Sequence, residues 1–286
     1  MENRAREFEF SDRDFHQIRD LVKNHTGISL SDVKRDMVYS RLSRRIRDLG
    51  LASFSEYCHL LQGESSHEIG NFVNAITTNL TSFFREPHHF DYLARQVVPY
   101  LLTQRKHLRK IRIWSAGCST GEEPYSLAMT LAETLPTSPT WDVKILATDL
   151  DTNVLAKARA GLYGIERIES VNKNRVKRWF LKGAGEHEGC VKVASQLQEM
   201  IAFNQLNLMK EWPMQGPFDV IFCRNVVIYF DKETQARLFA RYADLLANDG
   251  YLFVGHSESL FKVTDKFSLI GQTIYQKNGT ERNDKI

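Results

Sequence analysis

Cysteine is scarce in this chain: four among 286 residues, at Cys58, Cys118, Cys190 and Cys223, with no C-x-x-C pair. That spacing excludes a disulfide framework and a thiolate zinc cage, and it suits a reducing cytoplasm. Long apolar runs are missing as well. No window reaches the roughly 18 uninterrupted apolar residues of a membrane span, and the opening MENRAREFEFSDRDF has no apolar signal segment. A soluble chain, neither secreted nor inserted in a membrane, is therefore expected. Charge of one sign is also lacking, since 38 Lys and Arg against 35 Asp and Glu leave only +3. Nucleic acid is not the expected partner at that balance. With 26% charged and 42% hydrophobic residues, collagen-like and disordered classes are excluded. No internal repeat or low-complexity tract is present. The length, nearly twice the roughly 150 residues of a typical domain, predicts one large or two modest domains.

What is present divides at about residue 110. Before it, the pattern is helical. Ser11 or Asp12 caps a helix running to about Asn24, and Gly27 punctuates it. A second helix, from Ser31 to about Leu49, places Val38, Leu42, Ile46 and Leu49 on one stripe before Gly50. Ser53 caps a third, and residues 67–78 supply a fourth. Pro87 and Pro99 bracket a helical connector, His88 to Val98. From Lys110 on, short apolar runs (111–114, 143–148, 218–223, 251–255) alternate with helical stretches (124–135, 153–160, 232–246), the signature of a parallel sheet covered by helices. Residues 161 to about 202 break that rhythm, with Gly183, Gly185 and Gly189 in a polar turn before Val191-Lys-Val193, which predicts a small hairpin-bearing insertion. The tail after Lys277 reads as disordered.

Three constellations fall at one sheet edge. The first is Ile111-Arg-Ile-Trp-Ser-Ala-Gly-Cys-Ser-Thr-Gly-Glu-Glu-Pro, a strand, a small-residue loop and a helix opened by Pro124. Gly117 and Gly121 let backbone approach a ligand, but G-x-x-x-G is not the G-x-G-x-x-G of a dinucleotide fold. Glu122 and Glu123 would oppose a pyrophosphate at that helix start and suit a neutral or cationic ligand, unless they only complement the helix dipole. This weighs against a nicotinamide oxidoreductase. The second is Asp149, at the end of the next strand, where a carboxylate can hold two ribose hydroxyls. Asp151, beside Thr152 and Asn153, reads instead as a helix cap. The third is Cys223-Arg-Asn-Val-Val-Ile-Tyr-Phe230, which aims Arg224, Asn225 and Tyr229 at the same ligand. It lacks the Asn/Asp-Pro-Pro-Tyr/Phe found in methyltransferases acting on nitrogen, which argues against an amine substrate. Asn207-Leu208 is a fourth polar contact. Ser257 lacks a nucleophile-elbow context, and His88-His89 and His187-Glu188 lack a second ligand pair, so they read as solvated or capping histidines.

Taken in order, Asn79-Leu-Thr-Ser-Phe-Phe-Arg85, Ser119-Thr-Gly-Glu-Glu-Pro-Tyr125, Asn207-Leu208, Cys223-Arg-Asn-Val226 and Gly255-His-Ser-Glu258 resemble the chemotaxis receptor methyltransferases, the CheR family, over nearly the whole chain. The resemblance implies an S-adenosylmethionine-dependent protein-glutamate O-methyltransferase, with S-adenosylhomocysteine as product and no metal. It implies an α/β fold: an all-helical N-terminal domain (1–86), a helical linker (87–109), and a Rossmann-like class I methyltransferase domain (110–280) with a small β-subdomain inserted at 161–203, then a tail (281–286). Carried over, it makes Asn79, Thr81, Arg85, Glu123, Asp149, Asn207, Leu208, Arg224 and Asn225 the cofactor shell. The substrate glutamate is ionised at neutral pH, its unperturbed pKa being about 4.3, so attack on a sulfonium methyl needs no general base and catalysis is mainly positioning. Arg85, Arg224 and Tyr229 are the candidate catalytic groups that hold the carboxylate. A non-catalytic S-adenosylmethionine sensor or scaffold is the alternative from another class.

Two surfaces carry partner expectations. Arg41, Arg44, Arg45 and Arg47 form an arc opposite the apolar stripe of the second helix. Arg41, Arg44 and Arg47 would dock the cytoplasmic helices of a chemoreceptor, unless the arc is ordinary solvated surface. The insertion's turn, Lys182 to Val193, resembles β-subdomains that bind a receptor's C-terminal peptide. Both would recruit a cytoplasmic protein to membrane-bound receptor arrays.

Overall fold

The computed structural model describes residues 6–63 and 67–279. The N-terminal helices are α1 (Asp12–Thr26), α2 (Arg35–Asp48), α3 (Phe54–Gln62) and α4 (Glu68–Ile76), with a 3-10 turn, Asp32–Lys34, leading into α2. Their starts follow from local chemistry. Ser11 and Asp14 form a reciprocal capping box on α1, and the Ser53 side chain accepts from the Glu56 N–H at the head of α3. Val38, Leu42 and Ile46 are fully buried in a separate core with Phe15, Ile18, Val22, Phe54, Tyr57 and Phe72. Leu49, expected on the same stripe, is 39% exposed. It lies beyond the last helical turn, where the chain has already left the core.

The basic arc is not the free positive face that the spacing suggested. Arg41 donates to the carbonyls of Ile76 and Thr77, both at 2.7 Å, and so closes the C-terminus of α4. Arg45 grips Glu68 with two 2.8 Å bonds, and Arg47 pairs with Glu7. Of the four, only exposed Arg44 makes neither an ion pair nor a side-chain hydrogen bond among the described residues.

The connector continues past its second proline. Helix α5 (Pro87–Tyr92) passes through a π-turn (Leu93–Val97) into α6 (Val98–Gln104) without a break. Pro99 has no N–H to give the carbonyl four residues back, and the wider π-turn just ahead of it, with Val98 N bonded to Leu93 O, absorbs that defect.

The remaining elements are β1 (Lys110–Ala116), α7 (Glu122–Thr134), β2 (Asp142–Asp149), α8 (Thr152–Ala160), β3 (Leu162–Gly164), α9 (Lys173–Trp179), β4 (Phe180–Lys182), β5 (Cys190–Val193), α10 (Ser195–Gln198), β6 (Ile201–Gln205), β7 (Phe218–Cys223), α11 (Lys232–Leu245), β8 (Leu246–Val254), β9 (Phe267–Gly271) and β10 (Ile274–Lys277). They build a seven-stranded sheet in the order β6-β2-β1-β7-β8-β10-β9, parallel except for β10, which runs antiparallel to both its neighbours, and a small antiparallel sheet β3-β5-β4. The insertion is thus present, hairpin included. Its last expected residues, 201–203, belong to β6 and the central sheet. The final hairpin, β9 and β10, was not foreseen. Asn278 is pinned by Lys266 O at 2.9 Å and by Ser268 Oγ at 2.6 Å, so order extends past Lys277, while the expected tail 281–286 lies outside the described residues.

The sheet order sets the place of the site. From β1 the chain moves outward through α7 to β2 and finally to β6, then returns to lay β7 on the other side of β1. The carboxyl ends of β1 and β7 therefore flank a topological switch point, where open α/β sheets bind ligands.

Candidate functional site

At the switch point, the loop after β1 is drawn over the end of β2. The N–H groups of Gly117 and Cys118 both donate to Thr148 O, at 2.8 and 2.9 Å, and Ser119 N donates to Asp149 Oδ2 at 2.8 Å. Gly117 has φ +88, and a Cβ there would stand 2.4 Å from Val226 Cγ2, so only glycine lets the β1 and β7 loops meet. Across the gap, Asn225 takes the left-handed conformation (φ +59). The buried Glu258 carboxylate holds it there, accepting from Gly255 N (2.6 Å), Asn225 N (2.9 Å) and Ile228 N (3.2 Å). Burial pushes the Glu258 pKa up against those backbone bonds. Gly255 must be glycine because Asn225 Nδ2 would lie 2.5 Å from its Cβ. These contacts explain the Gly255-His-Ser-Glu258 motif, whose residues had no assigned role.

The loops enclose a cavity of about 610 Å³, within the roughly 300–1,000 Å³ of small-molecule sites. Asn79, Thr81, Arg85, Glu123, Asp149, Asn207, Leu208, Arg224, Asn225 and Tyr229 all line it. Sequence reasoning had missed its outer wall, Ser29, Ser31, Lys34 and Met37, supplied by the N-terminal domain. That domain is fastened by Ser29 N to Tyr229 O (2.8 Å), Lys23 to Asp231 (3.1 Å) and Asn207 Nδ2 to His25 O (2.6 Å).

Glu122 and Glu123, equivalent by sequence, have separate surroundings. Glu122 is fully buried, accepts from Thr120 Oγ1 at 2.6 Å, and pairs with Arg167 of the insertion. It does not line the cavity. Glu123 does, and it accepts from Ser115 Oγ (2.8 Å) and from Arg224 Nη1 (3.1 Å). Burial raises the Glu123 pKa, and Arg224 opposes the rise.

Arg224 does not fit the role of a substrate clamp. Its side chain is 2% exposed and is held between Glu123 and Glu86, the latter at 3.2 Å from Nη2, with a further bond to the Arg85 carbonyl. Glu86, which the sequence did not single out, stands at φ +57 and also accepts from His256 Nδ1 at 3.0 Å. Burial would raise its pKa, but the His256 hydrogen bond and the Arg224 charge hold it down to about 2. Two carboxylates around one guanidinium leave this buried trio with a net charge of about −1, which a cationic ligand group would balance.

Asp151 is the helix cap expected of it, while Asp149 lines the cavity. Asp151 caps α8 through Asn153 N (2.8 Å) and Val154 N (3.3 Å), and holds Thr77 Oγ1 and Asn79 Nδ2. Asp149 accepts from Ser119 N and Asp151 N, which uses two of a carboxylate's roughly four lone-pair sites. The other two are available to a pair of hydroxyls. Burial pushes its pKa up, against those backbone bonds. Asn79 lends its amide to Asp151 and its carbonyl to Ser119 Oγ (2.9 Å), while Thr81 O accepts from Arg167 (3.0 Å), so the segment after α4 is tied down on both sides. Asn207 also bonds Met209 N at 2.9 Å, and one amide hydrogen remains for a ligand. Leu208 is an apolar wall, 9% exposed.

Arg85 and Tyr229 are half-buried at the cavity. Arg85 Nη1 donates to Leu80 O at 2.9 Å, and its remaining donors have no partner among the described residues. His89, expected at a solvated or capping position, is fully buried, with Nε2 3.1 Å from Gln272 O. Packing of α5 against Phe222 of β7 and Phe253 of β8 puts it there, which its sequence neighbours do not reveal. No described helix is long and apolar enough to cross a membrane.

Two family models match in tandem: the CheR methyltransferase all-alpha domain over residues 13–77 and the CheR methyltransferase SAM binding domain over 79–276. Among curated relatives, the chemotaxis protein methyltransferase of Escherichia coli K12 is 48% identical over 93% of this chain and 91% of its own length. Chemotaxis protein methyltransferase 2 of Pseudomonas aeruginosa is 47% identical over 94% of each chain. A relative from Borreliella burgdorferi with the same name as the first is 39% identical over 90% and 92%. The chain belongs to the CheR methyltransferase family.

Proposed function

We propose that the protein transfers a methyl group from S-adenosylmethionine to glutamate side-chain carboxylates of chemoreceptor cytoplasmic helices, forming methyl esters. The observation that carries this reading is the placement of Glu123, Asp149, Arg85 and Tyr229 around one cavity at the sheet's switch point. Asp149 holds the ribose hydroxyls with its free lone pairs. Glu123, in the net-negative trio with Arg224 and Glu86, takes the cofactor's ammonium group. When bound, the cofactor supplies an electrophilic methyl on sulfur. Arg85 and Tyr229 hold the substrate carboxylate in line with it, and positioning of this kind supplies up to roughly 7–11 kcal/mol in well-oriented systems. Arg224 is a positioning residue that fixes Glu123. The test is incubation with radiolabelled S-adenosylmethionine and chemoreceptor-containing membranes. Label released by mild base supports the ester, and base-stable label overturns it.

In the same assay, Arg85→Ala and Tyr229→Phe are expected to reduce turnover at saturating cofactor by about 10- to 100-fold, the worth of one hydrogen bond to a charged group. Cofactor affinity by calorimetry should change less. Equal losses in both measurements would move these residues into the cofactor shell.

Receptor docking through α2 is narrower than the arc suggested. Since Arg41 closes α4, its loss acts on stability, and Arg44 is the docking arginine with no competing ion pair among the described residues. Arg44→Ala should raise KM for receptor and flatten its salt dependence, with thermal stability and cofactor affinity unchanged. Identical salt profiles would assign Arg44 to solvated surface. The hairpin β4–β5 serves as a second, tethering contact: β3 and β4 each have one edge without a strand partner in their small sheet, open to a receptor C-terminal peptide as an added strand.

A further inference from the structure

On the far side of Arg224 from Glu123, three ligand-type atoms converge. One ligand atom from each of Glu86, His88 and His89 lies within 4.8 Å of the other two. The atoms Glu86 Oε2, His88 Nε2 and His89 Nδ1 are buried and make no well-formed hydrogen bond, and of them Glu86 Oε2 has the Arg224 guanidinium at 3.2 Å. Buried polar atoms in that state are uncommon singly, and two imidazole nitrogens beside one carboxylate call for a ligand.

The geometry favours a cation. Glu86 Oε2 and His89 Nδ1 are 3.5 Å apart. Ligands at roughly 2.0–2.1 Å from a tetrahedral ion stand about 3.4 Å from each other. His89 is fully buried, and its Nε2 lies 3.1 Å from Gln272 O and 3.0 Å from Thr273 Oγ1. A carbonyl only accepts, so Nε2 carries the ring proton and Nδ1 presents a lone pair. A backbone carbonyl fixing the tautomer in this way is the usual support of a metal-binding histidine. Glu86 is oriented in turn, because His256 occupies its other oxygen. Two imidazole nitrogens and one carboxylate oxygen suit zinc, nickel or cobalt, whereas calcium and magnesium prefer oxygen alone.

We propose that Glu86, His88 and His89 form a binding site for a divalent transition-metal ion, coupled to the cofactor cavity through Arg224. The coupling follows from charge and rests on the cofactor reading above. Glu86 Oε2 is also the 3.2 Å partner of Arg224, whose other arm holds Glu123. A dication on Glu86 and the cofactor's cationic end on Glu123 draw on the same negative charge, so each weakens binding of the other. Linkage makes that antagonism reciprocal.

The test is calorimetric titration of zinc chloride into the untagged full chain, with cobalt substitution to read geometry. The expected result is one saturable equivalent and the intense visible bands of four- or five-coordinate cobalt. In His88→Ala, affinity should fall by at least about tenfold, as loss of one part of a metal site costs, with the thermal transition intact. Glu86→Gln is the second variant and should weaken zinc in the same direction. Absence of saturable binding, or equal affinity in wild type and both variants, overturns the site. In the coupling arm, zinc should raise the Kd for S-adenosylmethionine in wild type but not in His88→Ala. Zinc binding with no such change overturns the coupling. Failure of S-adenosylmethionine to bind with or without zinc overturns the cofactor reading and leaves the metal arm to be judged on its own titration.

Discussion

Arg224→Met should lower the unfolding free energy by about 3–5 kcal/mol at neutral pH, the cost of leaving buried carboxylates without their cation. Methionine nearly preserves the apolar stem beside Phe90, over whose ring the guanidinium sits at 5.6 Å, so lost charge dominates lost packing. Both Glu86 and Glu123 depend on this one side chain. The deficit has a pH signature. Burial acts to raise the Glu86 pKa, yet His256 and Arg224 bring it from 4.5 to about 2. A carboxylate lowered in the folded state contributes stability that is complete above its unfolded value and is lost as pH falls toward the folded one. Without Arg224 that contribution shrinks, so the difference between variant and wild type should be largest near pH 7 and narrow below about pH 4.5. Urea unfolding at pH 7.5 and at about pH 3 measures it. Wild-type stability in the variant at pH 7.5 would remove Arg224 from its structural role.

Glu123→Gln addresses the cofactor directly. Calorimetry should show S-adenosylmethionine and S-adenosylhomocysteine binding about 10- to 150-fold more weakly, corresponding to a charge-assisted bond of roughly 1.5–3 kcal/mol. Glutamine keeps the shape and the Ser115 contact but removes the charge that answers an ammonium. Adenosine, which has a ribose and no ammonium, provides the control. Its affinity should be unchanged in Glu123→Gln and reduced in Asp149→Ala, because the proposed arrangement assigns the ribose to Asp149 and not to Glu123. Parallel loss of adenosine and S-adenosylmethionine in Glu123→Gln would show that the substitution disturbs the whole cavity through Arg224.

Much of the frame follows from short-range chemistry, which a sequence displays. Ser11 with Asp14, and Ser53 with Glu56, declare helix starts because a side-chain oxygen can reach an N–H only two or three residues ahead. The all-buried run Phe218–Cys223 and the apolar runs of β1 and β2 declare a covered parallel sheet, because such strands have no solvent face to mark with polar residues. Strand ends in that sheet meet at one edge, so Gly117, Asp149 and Arg224 could be brought together by sequence alone. Tertiary structure decided whatever depends on distant partners or on the roll of a packed element. Glu122 and Glu123 differ by about 100° around α7, and only its docking on the sheet sends one to Arg167 and the other to the cavity. Arg41 reads as a surface charge until α4, some 35 residues later in the chain, presents its open carbonyls. Arg224 reads as a free fork until Glu86 arrives from the head of α5 and Glu123 from α7 to enclose it. A side chain's charge is local, but what neutralises it is set by the fold.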